Sequence, residues 1–138
     1  MVNREVLLRR IEKAKEYLDF LFKIKDNCNI DEFKQNPMVY GSSERFLHLS
    51  IEAILDIGTH IISYENLGKV EFYSDVPKLL NQHGYLNKEL TDIYIRIIGF
   101  RNILVHDYLE IDLDIVYKVL QNNLTDLEKI LKEMAKIL

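Results

Sequence analysis

Leu7, Ile11, Ala14, Leu18 and Leu21 recur at spacings of four, three, four and three residues. Only an α-helix, at ~3.6 residues per turn, puts all five on one stripe. Arg, Lys and Glu occupy the other faces, so the stripe is a buried seam with a charged exterior. The spacing predicts a helix from about Asn3, its N-cap, to about Lys25. A seam this long packs along a bundle rather than across it. Five glycines and two prolines in 138 residues favour long helices over short strands joined by tight turns. The expected fold is therefore all-α, an antiparallel helical bundle of four to five helices. Its length suits one domain over residues 1–138 with its own core.

The rest of the chain follows the same logic. Asp26 to Asn29 breaks the pattern, and residues 31–35 read as a single turn with Asp31 as cap. Pro37 suits a helix start, because its missing N–H has no intrahelical partner there. A second helix is predicted from about Met38 to Tyr64. Phe46, Leu47, Leu49, Ile51, Ala53, Ile54, Leu55, Ile57, Ile61 and Ile62 spread round most of it, so it is buried on more than one side, and one of those sides is a candidate face for another subunit. Residues 66–72 connect, with Gly68 as the expected stop. Ser74 is the expected N-cap of a short third helix that ends at His83 and Gly84. A fourth begins near Asn87 and carries Leu90, Ile93, Tyr94, Ile97, Ile98, Arg101, Leu104 and Val105 on one stripe. A last helix is expected from about Asp112 to the C-terminus, with Leu113, Val116, Leu120, Leu127, Leu131, Met134 and Leu138 inward.

Charge and cysteine usage narrow the function. A net charge of −4 rules out a protein that binds nucleic acid through its global field; any such contact needs a local basic spot. The lone Cys28 makes no internal disulfide and fits a reducing compartment. No nucleophile motif surrounds it. The N-terminus lacks the layout of a signal peptide, and no run of ~18 apolar residues is evident, so a cytoplasmic location without a membrane partner is expected. On the second helix Glu52, Asp56 and His60 fall one turn apart. They suggest either metal ligands or a polar stripe. No HExxH-type signature supplies further ligands, and no metal or cofactor is assigned.

Polar chemistry concentrates in one place. Arg101, Asn102, His106 and Tyr108 lie within eight residues at the end of the core-forming fourth helix. A guanidinium on an apolar face is costly unless paired or used. The structural readings are an ion pair of Arg101 with Asp56, Glu52 or Asp107, a His106 ring capping helix-end carbonyls, and a half-buried Tyr108. The chemical reading is RNA cleavage without a metal. RNA carries its own nucleophile, the 2′-OH, so a protein need only move protons and stabilise charge on phosphate. Imidazole suits the proton work and guanidinium the phosphate. Residues five apart are ~140° apart on a straight helix. Either the helix unwinds near Val105, or Arg101 and His106 meet through a second copy of the chain.

The run Gly99-Phe100-Arg101-Asn102-Ile103-Leu104-Val105-His106-Asp107-Tyr108, continued by Leu109-Glu110-Ile111-Asp112, resembles the HepT-like branch of the HEPN superfamily. The likeness extends to Glu44-Arg45-Phe46-Leu47 and to residues 51–60. It implies an all-α homodimer with paired RxxxxH motifs near its two-fold axis. It implies a metal-independent endoribonuclease, the toxin of a toxin–antitoxin pair. Arg101 and His106 carry over as catalytic residues, with Asn102 in support. The resemblance also implies a minimal nucleotidyltransferase antitoxin that transfers AMP to Tyr108. The alternative is a non-catalytic helical partner of such a nucleotidyltransferase.

Overall fold

The computed structural model describes residues 4–106 and 111–138. These fold into α1 (Arg4–Asn27), α2 (Ile30–Gln35), α3 (Pro37–Tyr64), α4 (Asp75–Gln82), α5 (Lys88–His106), α6 (Leu113–Asn122) and α7 (Leu124–Ile137). The all-α expectation holds, with seven helices among the described residues rather than four or five. The predicted α1 seam is the observed one: Leu7, Ile11, Ala14, Leu18 and Leu21 are all buried. The helix runs on to Asn27, past the expected end at Lys25. The expected cap at Asn3 lies outside the described residues.

Local signals explain most of the remaining differences. Asn29, not Asp31, caps α2. Its side chain accepts from the Glu32 N–H at 2.9 Å, and the Glu32 carboxylate accepts from the Asn29 N–H at 3.1 Å. This reciprocal box satisfies two amides that the first turn leaves free. Asp31 sits inside that turn, where its charge suits the positive end of the helix dipole. Asn36 caps α3 with Pro37 in its first turn. The α3 stop is Asn66 rather than Gly68. Asn66 takes a φ of 55°, and the Leu67 N–H reaches the Ile62 carbonyl at 2.9 Å. Asn tolerates this left-handed position better than most residues. Gly84, at φ 81°, closes α4 as expected.

Ser74 makes no side-chain cap bond to α4. Asp75 instead turns its carboxylate back on the segment before the helix, accepting from the backbone N–H groups of Glu71 and Phe72 at 3.0 and 2.9 Å. These two bonds pull its carboxyl below its ordinary range. The single C-terminal helix expected from the stripe is two helices broken at Asn123. Asn is a weaker helix former than its neighbours, and the break lets the halves face different partners. α6 packs on α1, α2 and α3, while α7 packs on α1, α3 and α5. Leu120 and Leu124, on either side of the break, are both fully buried.

α3 is the axis of the molecule. It touches each of the other six helices, and Leu47, Ile51, Ile54, Leu55, Ile57, Ile61 and Ile62 are buried along it. These contacts cover much of its apolar surface inside the chain, while Phe46, Leu49 and Ala53 stay half-buried. By length and composition α3 also passes as a membrane-spanning segment, with an 18-residue window of mean hydropathy 1.2, contrary to the expectation that no such run exists. Half of that window is buried within the protein, which is the condition of a core helix.

Candidate functional site

The site is built on the C-terminal half of α5, held against α3. α5 starts at Asn87, whose side chain accepts from the Leu90 N–H at 2.8 Å. Tyr94, Ile97, Ile98, Phe100 and Leu104 bury its inner face. Arg101 lies at the edge of that face. Its side chain is only 12% exposed, so its charge needs partners. Three surround it. Nε and Nη2 both converge on Oε1 of Glu52 from α3. Nη1 donates to Oδ1 of the adjacent Asn102 at 3.1 Å. The ring of Tyr73, from the segment before α4, lies 4.7 Å from the guanidinium carbon, close enough for a cation–π contact.

Among the described residues Glu52, not Asp56, is the acid that pairs with Arg101. Asp56 turns to α1, where Arg10 Nη1 donates to it at 2.5 Å, and His60 Nε2 is 3.5 Å from its other oxygen. The Glu52, Asp56 and His60 stripe is thus divided between two ion pairs. Among the described residues, no three His, Cys, Asp or Glu side chains are grouped to hold a metal. Asp107 and Tyr108 lie outside the described residues.

Glu52 serves a second group. His48, one turn earlier on α3, places Nε2 3.4 Å from the same Oε1. Glu52 thus orients the guanidinium while standing beside an imidazole. His48 borders a recess of about 210 Å³ that Gly41, Glu44, Arg45, Leu104 and Ile111 also line. Burial pushes the Glu44 carboxyl up from its ordinary value.

A guanidinium has five N–H groups. Glu52 and Asn102 engage three of them, and among the described residues the other two have no partner. Asn102 is exposed and uses its carbonyl oxygen toward Arg101, which leaves its amide N–H groups to donate elsewhere. His106 is the exposed last residue of α5. The helix runs without interruption through both Arg101 and His106, so it does not unwind near Val105. The two side chains are ~140° apart round the axis, and the structure does not bring them together within one chain.

Two neighbours were not found from sequence. His48 had a usable signal, its four-residue spacing from Glu52. Tyr73 had none, because its contact with Arg101 joins a connecting segment to a distant helix. The Cys28 thiol donates to the Ile24 carbonyl at 3.2 Å. Burial first, and the Glu32 charge second, push its pKa up, away from thiolate.

The profile of the Ribonuclease HepT-like family matches residues 7–134. The mRNA nuclease HepT of Shewanella oneidensis is 38% identical over 98 residues, covering 71% of this chain and 74% of that protein. The tRNA nuclease HepT of Aphanizomenon flos-aquae is 32% identical over 114 residues, covering 81% and 77%. In the structure of the tri-AMPylated Shewanella oneidensis HEPN toxin in complex with MNT antitoxin, a chain superposes with a TM-score of 0.86. It is 30% identical, and the match covers 98% of this chain and 99% of that one. A toxin–antitoxin crystal structure with AMP-PNP gives a TM-score of 0.87 at 28% identity, covering 96% and 99%. The chain belongs to the Ribonuclease HepT-like family.

Proposed function

We propose that this protein is the ribonuclease toxin of a toxin–antitoxin pair and cuts RNA with Arg101, Asn102 and His106. The observation that carries this reading is the state of Arg101. It is nearly buried and fixed by Glu52, Asn102 and Tyr73, with two N–H groups unpartnered among the described residues, on a helix that also ends in an exposed His106. A preoriented guanidinium stabilises the charge that builds on phosphate without reorganising at the moment of reaction. In the reaction the RNA 2′-oxygen bonds to phosphorus and the bond to the 5′-oxygen breaks. One proton leaves the 2′-OH, and one is delivered to the departing 5′-oxygen. His106 handles protons, Arg101 holds the phosphate, and Asn102 adds a donor. RNA supplies the nucleophile itself, so the step needs no metal.

A homodimer completes the site. Arg101 and His106 diverge on one helix, and a two-fold axis beside α5 faces the Arg101 of one copy toward the His106 of the other. The antitoxin is a nucleotidyltransferase, and its modification target is Tyr108. An adenylate two residues from His106 adds bulk and negative charge where the RNA phosphate must sit. Support comes from the related toxin seen tri-AMPylated with its MNT antitoxin. The single unpaired cysteine fits a cytoplasmic setting.

The test is cleavage of total RNA by purified protein. Wild type degrades RNA and arrests growth, whereas Arg101→Ala and His106→Ala do neither while keeping wild-type helical circular dichroism. Intact RNA with wild-type protein, together with harmless expression in the absence of any antitoxin, overturns the nuclease reading in favour of a non-catalytic partner of the nucleotidyltransferase. Mass spectrometry after co-expression with the nucleotidyltransferase finds AMP on Tyr108; an unmodified tyrosine removes the proposed switch.

A further inference from the structure

Two aromatic residues adjacent in the chain stand exposed, and one of them, Tyr73, lies against Arg101. Phe72 is 70% exposed, the most exposed aromatic among the described residues, and Tyr73 is 48% exposed. They are not on a loose segment. The Asp75 carboxylate accepts from the N–H groups of Glu71 and Phe72, and the Asp75 and Val76 N–H groups return to the carbonyls of Phe72 and Tyr73 at 2.9 and 3.1 Å. Four hydrogen bonds thus hold two rings out in water. One ring already stacks on the guanidinium assigned to phosphate.

We propose that Phe72 and Tyr73 form a stacking platform for an unpaired RNA base next to the phosphate held by Arg101. This rests on the ribonuclease reading and adds how the substrate is gripped. Single-stranded RNA is held by this pairing of a basic group for the backbone with aromatic faces for the bases. Two aromatic side chains bury at most ~500 Å² together, and the guanidinium against Tyr73 favours an anionic strand as the occupant. Charged neighbours close the patch, with Lys69 and Glu71 exposed and paired beside it at 3.6 Å. The size fits one or two bases. Because the ring contact does not read base edges, the platform accepts any base and selects for single strands over duplex.

The chain contains no tryptophan, so Phe72→Trp introduces a single tryptophan at the platform, excited selectively at the red edge where the eight tyrosines do not absorb. In a His106→Ala background, which prevents cleavage, a short oligouridine quenches this fluorescence saturably. A ribose–phosphate strand of equal length without bases does not. In the same background Phe72→Ala weakens oligouridine binding about tenfold, within the range measured for base–aromatic stacking, and Phe72→Tyr restores it. Unchanged affinity in Phe72→Ala, or equal quenching by the baseless strand, overturns the platform. So does a loss of self-association or antitoxin binding in Phe72→Ala with RNA affinity intact. If wild-type protein still cleaves RNA in those cases, the nuclease reading stands alone. If wild-type protein neither binds nor cleaves RNA, both fall.

Discussion

Arg101 and His106 share one uninterrupted helix, and the turn of that helix carries their side chains to different faces. Arg101 is folded in against Glu52, while His106 stands exposed at the helix end. In the proposed dimer the Arg101 of one copy and the His106 of the other act on one phosphate. The consequence is measurable by mixing inactive chains. Arg101→Ala and His106→Ala are each inert alone. Co-refolded, they form mixed dimers in which one of the two shared sites has an intact arginine and an intact histidine, so about a quarter of wild-type activity returns by statistical pairing. No recovery on mixing is the result expected if both groups act within one chain.

Glu52 is the anchor of the site. Glu52→Ala leaves the guanidinium, 12% exposed, without its main partner. The carboxylate is itself about a third exposed, so water replaces part of the loss. The expected destabilisation is about 1–2 kcal/mol, read as a shift in the denaturation midpoint. RNA cleavage falls at least about tenfold, because an unanchored arginine must be ordered in each turnover. Glu52→Gln keeps an acceptor oxygen and lies between wild type and Glu52→Ala on both measurements.

Gly58 marks the tightest point between α3 and α4. A Cβ there lies 2.6 Å from Val76 Cγ1 and 3.2 Å from Met134 Cε. Met134 can yield, but Val76 is β-branched and fully buried. Alanine gains about 1 kcal/mol of helix propensity over glycine. Overpacking against a stiff neighbour costs about 1–3 kcal/mol. The net outcome of Gly58→Ala is a lower melting temperature, and pairing it with Val76→Ala relieves the clash.

The platform beside Arg101 is acid-sensitive through Asp75. Its pKa is lowered from 3.8, first by the Phe72 N–H and then by the Glu71 N–H. A carboxylate with a depressed folded value contributes its stability above the unfolded pKa and loses it as pH falls through the folded value. The Glu71 and Phe72 amide resonances should therefore stay constant from neutral pH to about pH 4 and move only below it. In Asp75→Ala those resonances are displaced at neutral pH and show no such titration.

Sequence alone determined the helical class, the α1 seam, the Pro37 and Gly84 boundaries and the stretch carrying Arg101, Asn102 and His106. Each is a local property: a period, a fixed φ, a left-handed turn or a run of unusual side chains. The choice of Asn66 over Gly68 was not legible, because it rests on a hydrogen bond seen only once the chain is folded, whereas the Asn29 and Glu32 spacing carried a capping-box signal that the reading of Asp31 as cap passed over. The break at Asn123 was hidden for a related reason, since the apolar stripe continues across it while the packing partners change. Tertiary structure alone decided that Glu52 rather than Asp56 meets Arg101, that Tyr73 lies against the guanidinium, and that six helices enclose α3. Those outcomes depend on which helices lie side by side, and the approach of residues 28 and 49 positions apart in the chain leaves no periodic trace along it.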